Sequence, residues 1–176
     1  MLDTLARIAR SAYWWLALLL YGFTSEAVAL FYQHVLGEWP CVLCIQMRLW
    51  MVLLISIALL VLVLRRYTAA ILTGQLLVVV AATGMLERSW QLLGTERGFL
   101  EGDCGFDLGL PAWFRPDQWL PALFEVQTSC GYTPELLFGI TMAEALIVTS
   151  ALLLLVALVL MLGLALAVRR DNGTRL

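Results

Sequence analysis

Four long apolar segments dominate the pattern of hydrophobic and polar positions along the chain. They cover about residues 13–34, 45–64, 67–90 and 142–168. Each comes close to the ~20 residues that a helix needs to cross a hydrocarbon core about 30 Å thick. The pattern predicts an all-α membrane protein in which residues 1–176 form a single membrane domain, a bundle of four transmembrane helices.

The composition supports this interpretation, because 62% of the residues are hydrophobic and only 14% are charged. Soluble domains contain fewer apolar and more charged residues than this. A charged residue is therefore conspicuous within the first two segments, where it is Glu26 and Arg48 respectively.

The first apolar segment also resembles a cleavable signal peptide, since Arg7 and Arg10 precede it and Ala27-Val28-Ala29 follows. We reject that alternative. Apolar residues resume at Leu30-Phe31-Tyr32, the apolar stretch is too long, and cleavage would leave only three spans. The segment is expected to remain as the first transmembrane helix.

The arginines predict the orientation in the membrane, since the chain has no lysine. Seven of them flank the predicted spans on one side: Arg7, Arg10, Arg65, Arg66, Arg169, Arg170 and Arg175. The positive-inside rule makes that side cytoplasmic. We therefore expect both termini inside, with a short loop at about 35–44 and a long loop at about 91–141 on the outer side.

All four cysteines then lie on the outer side. Cys41 and Cys44 are in the first outer turn, and Cys104 and Cys130 are in the long outer loop. An even number of cysteines confined to the oxidising side of a membrane indicates disulfide chemistry.

The long outer loop contains a segment, 110–126, that mixes aromatic and aliphatic residues with a few charged ones: Arg115, Asp117 and Glu125. Such a segment suits a short helix that lies at the headgroup level, with aromatic rings towards the lipid. The alternative is a loop that its own apolar residues fold onto the bundle. Both interpretations keep the loop near the membrane surface.

The Cys41-x-x-Cys44 pair follows Pro40, which we expect to occupy the first turn of the second span. Free N–H groups at a helix N-terminus stabilise a thiolate, so the thiol pKa values there should fall. Half of a four-cysteine zinc site and a structural disulfide are the alternatives. The wide separation of Cys104 and Cys130 argues against zinc, and a Cys-x-x-Cys loop is too short to restrain the unfolded chain much. Redox activity is therefore favoured, with no metal.

Arg48 lies one turn after Cys44, on the same helix face and about 6 Å deeper. A cation within a span is costly and marks a functional site by default. We predict that it hydrogen-bonds the carbonyl of a membrane-soluble quinone and stabilises the negative charge that develops there. The alternative is snorkelling of the side chain towards the headgroups.

The sequence "WPCVLCIQMR" after "FYQHVLGE", followed by two closely spaced spans and a long loop with two more cysteines, resembles the bacterial DsbB family over essentially the whole chain. That resemblance implies a four-helix oxidase of the bacterial inner membrane with a periplasmic cysteine-bearing loop. It further implies electron transport from the periplasmic thiol oxidant DsbA to ubiquinone or menaquinone, in support of periplasmic protein folding. Its partners would be DsbA, lipid and the quinone pool, without nucleic acid.

The resemblance also implies a role for each matching residue. Cys41 and Cys44 become the quinone-coupled pair, with Cys44 at the quinone. Cys104 takes the mixed disulfide with the DsbA-like partner, and Cys130 communicates with Cys41. Arg48 becomes the quinone-site arginine. The chain departs from many relatives at Gln46 and Met47, where an aromatic residue and then a glutamine or glutamate are common.

Two other functions are weighed against the oxidase. A membrane scaffold with two structural disulfides would keep its cysteines oxidised regardless of the quinone pool. A member of the vitamin K epoxide reductase family would have loop cysteines ahead of the Cys-x-x-Cys, whereas here Cys41 and Cys44 come first.

Two roles are considered for each of three polar residues near the spans. Glu26 and His34 are expected either to carry protons during quinone reduction or to be an internal carboxyl group and an interfacial histidine. Arg88 assists the quinone site, or marks the outer end of the third span.

Overall fold

The computed structural model describes residues 2–100, 105 and 107–173, and in it the chain folds as a bundle of four long helices. These are α2 (Ala12–His34), α3 (Val42–Leu64), α4 (Thr68–Glu96) and α7 (Met142–Gly173). All four are long and apolar enough to cross a membrane. The predicted all-α, four-span fold is confirmed.

The helices extend beyond the apolar segments from which they were predicted. Helix α3 begins at Val42, within the predicted outer turn, and α4 continues to Glu96. An apolar run marks only the part of a helix that suits hydrocarbon, whereas backbone hydrogen bonds continue into polar sequence. As a result, Cys44 lies inside α3 rather than ahead of it.

A separate N-terminal helix, α1 (Leu2–Arg10), packs against α7. Leu5 lies so close to Gly163 of α7 that a Cβ atom at Gly163 would come within 2.5 Å of the Leu5 Cβ atom. Ala9 is fully buried, and its carbonyl accepts a 3.1 Å hydrogen bond from the indole N–H of Trp15. The arginines of α1 stand out in the sequence, but no helix was predicted there.

Small residues and one buried amide hold the middle of the bundle together. A Cβ atom at Gly74 would lie 2.3 Å from a methyl group of Val61, so α3 and α4 are in close contact there. The Gln75 side chain is fully buried, donates to the carbonyl of Ala157 at 3.0 Å and accepts from the Trp14 indole at 3.0 Å. Close approach at small residues and interhelical hydrogen bonds are typical of helix packing in membranes.

The long segment between α4 and α7 carries two single-turn helices and a small hairpin. They are α5 (Pro116–Trp119), α6 (Pro121–Phe124), β1 (Glu135–Leu137) and β2 (Ile140–Thr141), with β1 and β2 antiparallel. The predicted short helix is therefore divided at Leu120. Pro121 lacks an N–H group and begins a new turn.

Both expectations for this loop describe part of it. Leu108 and Phe124 are buried in a cluster with Cys41 and Ile45, so the loop does fold onto the bundle. The Trp119 side chain remains 59% exposed. Contact of such exposed aromatic rings with lipid stays a prediction.

Candidate active site

The start of α3 is built around Cys41, which is the N-cap residue. Its backbone is extended and its Sγ atom accepts a 3.3 Å hydrogen bond from the backbone N–H of Cys44. Pro40 therefore precedes the cap, and the expectation that it begins the helix is wrong. The first turn of α3 has free N–H groups, and the sulfur of Cys41 satisfies one of them.

The two cysteines of the Cys-x-x-Cys pair are in direct contact. Their Sγ atoms lie 2.6 Å apart. The Cys41 side chain is buried at 1% exposure, and that of Cys44 is half-buried. This spacing on the first turn of a helix allows the two sulfurs to form a disulfide with each other, so the pair can store two electrons when reduced.

Cys41 keeps its proton more strongly than an ordinary thiol. A side-chain hydrogen bond with Cys130 lowers the pKa of Cys41, but the hydrogen bond with Cys44, burial and the charge of Cys44 together raise that pKa from 9.0 to about 12. The expectation that the helix N-terminus would lower the pKa is wrong for this thiol. The backbone N–H of Cys44 does favour the anion, yet its effect is the smallest of those acting.

Backbone contacts bring the long loop to Cys41. The N–H of Gln127 donates to the carbonyl of Pro40 at 3.0 Å, and Cys41 and Thr128 form a parallel β-bridge. The side chain of Cys130 then reaches that of Cys41. Cys104, the other loop cysteine of the prediction, lies outside the described residues.

Arg48 is buried and points across the bundle. Its side chain is 5% exposed, and one guanidinium nitrogen donates to the side-chain carbonyl of Gln33 at 2.6 Å and to the backbone carbonyl of Leu123 at 2.8 Å. The other terminal nitrogen donates to the carbonyl of Ala29 at 3.2 Å. The arginine thus connects α3 with α2 and α6, and the snorkelling alternative is wrong.

The acceptors that hold Arg48 are all neutral. Within the described ranges no carboxylate lies at ion-pair distance from it, and the carboxyl group that acts on its charge is that of Glu26. A cation inside a low-dielectric bundle without a bonded anion attracts negative charge that arises nearby. The charge of Arg48 acts electrostatically on the nearby side chain of Cys44.

A cavity of about 520 Å³ lies between α2, α3 and α7 and reaches the side of Cys44. Most of its wall is apolar, and Leu20 at its edge is 70% exposed on the outside of the bundle. Arg48 and Glu26 are the charged groups that line it in the middle of the bundle. An apolar cavity of this size with a few polar groups is typical of a small-molecule site.

The residues of this cavity fit a quinone. The headgroup of a quinone is a flat, mostly apolar ring with two carbonyl oxygens. Its binding requires hydrogen-bond donors to these oxygens, and its predicted reduction requires a nearby thiol. Cys44 and Arg48 offer the thiol and the cation on one wall, and Met47 lines the same cavity. Gln46, beside it in sequence, instead donates to the carbonyl of Leu108 at 2.9 Å and holds the loop.

The structure brings together four of the five predicted site residues: Cys41, Cys44, Cys130 and Arg48. Their chemical roles stay predictions. His34 is exposed and, like Arg88, is not among the residues that line the cavity. Arg88 donates to the side-chain carbonyl of Gln91 at 3.0 Å.

Sequence reasoning missed the groups that position Arg48. Gln33 is a polar residue at the end of an apolar span, and this is a signal that the sequence contains. The structure buries it at 7% exposure. The carbonyl of Leu123 is a backbone group and gives no sequence signal.

Several known proteins are similar to this chain. A family model described as "Disulfide bond formation protein DsbB" matches residues 10–160. The chain is 32% identical to disulfide bond formation protein B of Shewanella loihica over 148 residues, which cover 84% of this chain and 86% of the relative. It is 31% identical to disulfide bond formation protein B 2 of Pseudomonas aeruginosa over 131 residues, 73% of this chain and 78% of the relative.

Proposed function

We propose, since this chain belongs to the DsbB family of disulfide bond formation proteins, that it oxidises a DsbA-like dithiol protein and passes the electrons to a membrane quinone. The enzyme would be a thiol:quinone oxidoreductase of the bacterial inner membrane. Ubiquinone and menaquinone share the chemistry required.

The first step is an exchange at the loop pair. The partner's thiolate attacks the Cys104–Cys130 disulfide at Cys104, and a mixed disulfide forms as Cys130 is released as a thiolate. The partner's second thiol then displaces Cys104. The partner leaves with a new disulfide, and the loop pair holds the two electrons.

The second step moves these electrons to the start of α3. The Cys130 thiolate attacks Cys41 of the Cys41–Cys44 disulfide, and Cys44 leaves as a thiolate. The contact of Cys130 with Cys41 supports this choice of target. Arg48, whose charge acts on Cys44, stabilises the leaving thiolate. Attack by Cys104 on Cys130 then restores the loop disulfide and leaves Cys41 and Cys44 reduced.

The third step regenerates the Cys41–Cys44 disulfide. A bound quinone supplies an acceptor for two electrons and two protons. Cys44 reaches the cavity that would hold it, and Arg48 lies beside the same space with its charge held in place by three carbonyl groups. A cation fixed in advance stabilises developing negative charge without having to reorganise.

Arginine placement supports the proposed sidedness. Arg65 and Arg66 follow α3, and Arg170 lies near the end of α7, where it is 3.7 Å from Asp3 of α1. In an antiparallel bundle these positions share one end, and Cys41 occupies the other. We propose that the arginine end is cytoplasmic and the cysteine end periplasmic.

The observation that carries this proposal is the continuous series of contacts from the loop into the bundle. Cys130 contacts Cys41, the Cys41 Sγ atom lies 2.6 Å from that of Cys44, and Cys44 lines a cavity with Arg48. A structural disulfide would need only one of these contacts.

The test combines the purified protein with a reduced DsbA-like protein and a soluble short-chain quinone, and follows the quinone absorbance. Quinone should be consumed in step with partner thiols, and Cys44→Ser should abolish its consumption. If the quinone absorbance does not change, or changes equally with Cys44→Ser, the oxidase proposal fails. Cysteines that stay oxidised throughout would instead support the scaffold.

A further inference from the structure

Glu26 is a carboxyl group in the cavity to which the steps above assign no role. It belongs to α2 and lines the same space as Cys44 and Arg48. Its Oε1 atom is shielded from solvent and has no hydrogen-bond partner among the described residues. Buried polar atoms in folded proteins are nearly always hydrogen-bonded, so an exception needs an explanation.

Among the described residues, no basic side chain forms an ion pair with the carboxyl group of Glu26. Arg48 acts on it electrostatically, but the hydrogen bonds of the guanidinium are directed to Gln33, Leu123 and Ala29. A structural carboxyl would be expected to form an ion pair with so near a cation. Here the two groups share a cavity wall without bonding to each other.

The remaining groups that face this part of the cavity are thiol and hydroxyl groups. Helix α3 contributes Cys44, α2 contributes Tyr21 and Ser25, and α7 contributes Thr149. The Tyr21 hydroxyl donates to that of Thr149 at 3.2 Å, so these two are already occupied. Among the described residues, Glu26 is therefore the carboxyl group in the interior of the cavity, and one of its oxygen atoms has no hydrogen-bond partner.

The cavity has two polar positions at different depths. Helices α2 and α3 are antiparallel, and the guanidinium of Arg48 bonds to Ala29, one turn closer to the cysteine end of α2 than Glu26. Cys44 and Arg48 thus lie towards the outer end, and Glu26 lies deeper. A quinone ring has a carbonyl oxygen at each end, which matches this arrangement.

We propose that Glu26 is the proton donor to the inner oxygen of the bound quinone, an inference that rests on the proposed function. The carboxylic acid of Glu26 hydrogen-bonds this oxygen. As two electrons leave the Cys41–Cys44 dithiol and its S–S bond forms, the O–H bond of Glu26 breaks and an O–H bond forms on the quinone. A proton released by the dithiol restores the acid, and the second dithiol proton completes the quinol.

The test compares Glu26→Gln, Glu26→Leu and the control Glu87→Gln, which changes an exposed carboxyl on α4. Glutamine retains a hydrogen-bond donor but cannot deliver a proton, and leucine can do neither. Two measurements are made on each purified variant: equilibrium binding of a short-chain benzoquinone to the oxidised protein by tryptophan fluorescence, and single-turnover quinone reduction by the reduced protein.

Glu26→Gln should bind the quinone within about threefold of wild type, while its reduction rate falls roughly 100-fold, the usual contribution of a general acid. Glu26→Leu should also bind about tenfold more weakly, as expected for a lost hydrogen bond. Glu87→Gln should match wild type in both. A Glu26→Gln protein with wild-type reduction rate overturns the inference alone. A wild-type protein that neither binds nor reduces the quinone defeats the proposed function as well.

Discussion

Arg48 and Leu123 are joined by a 2.8 Å hydrogen bond from the guanidinium to the backbone carbonyl, although 75 positions separate them in the chain. The side chain that lines the cavity therefore also holds α6 against the bundle. A few residues after α6, the chain runs beside Pro40 and delivers Cys130 to Cys41. The wall of the cavity and the position of the loop depend on the same arginine.

Arg48→Ala should damage both features. It removes a cation from the cavity and leaves the acceptors on Gln33 and Leu123 without their donor, at about 1–3 kcal/mol for each buried group. We expect at least about a tenfold rise in the quinone KM and faster chymotryptic cleavage of the loop after the exposed Trp119. Exchange between the loop cysteines and the partner should persist.

The matched control for this variant is Arg66→Ala, because Arg66 is exposed in the turn between α3 and α4. It should leave both quinone kinetics and proteolysis unchanged. Equal quinone kinetics in Arg48→Ala and wild type would reject the role of Arg48 at the cavity. Unchanged cleavage would reject its role in holding the loop.

Gln127→Pro should slow transfer between the cysteine pairs. Proline has no N–H group, so the hydrogen bond from position 127 to the Pro40 carbonyl is lost. Because such a bond contributes about 1 kcal/mol, transfer should slow roughly fivefold. The measurement is rapid-quench trapping of the Cys41–Cys130 mixed disulfide, and Gln127→Ala, which keeps the N–H, should behave as wild type. A normal rate with proline would show that the loop is positioned by other contacts.

Cys41→Ser and Cys41→Ala should both abolish electron transfer but should differ in stability. Serine replaces the sulfur that accepts from the Cys44 N–H with another N-cap acceptor, and alanine provides none. The alanine variant should therefore be less stable by about 1 kcal/mol. Denaturant unfolding of the two purified variants in detergent tests this, and equal midpoints would argue against the sulfur as a cap.

The raised pKa of Cys41 predicts a pH dependence for the reduced protein. The unfolded chain should ionise this thiol near 9.0, whereas the folded chain does so near 12. Between these values the unfolded state binds fewer protons, so the free energy of unfolding falls as the pH rises. The contribution is fully present below about pH 9 and decreases by at most about 1.4 kcal/mol per unit above it.

The measurement for this prediction is denaturant unfolding of reduced wild type and reduced Cys41→Ser at several values between about pH 8 and pH 11. The difference between the two curves reports the ionisation of Cys41 together with that of Cys44, whose sulfur it contacts. A difference that stays constant with pH would show that the thiol ionises alike in the folded and unfolded chains.

The four spans and the family could be predicted from the sequence for a clear physical reason. Apolar runs of the required length report directly on burial in lipid, and the family model confirms the resemblance based on Cys41, Cys44 and Arg48. Chain position also placed Cys44 and Arg48 on one face of one helix, because helical geometry is local.

The features that could not be predicted from the sequence depend on tertiary contacts. The pKa of Cys41 was predicted in the wrong direction because the hydrogen bond with Cys44, burial in the folded chain and the charge of Cys44 together outweigh the local effect of the helix N-terminus. The partners of Arg48 include two backbone carbonyls, which every residue possesses. No residue pattern distinguishes a carbonyl that will accept such a bond from one that will not.

The packing of α1 on α7 has a consequence for how the bundle is assembled. Ribosomes deliver α1 first and α7 last among the described helices, so the Leu5 side chain cannot meet Gly163 until the other spans have been made. The side of α1 that packs on α7 therefore has no such partner until α7 has been synthesised. Its docking is a closing event that can occur only after the last span has been inserted.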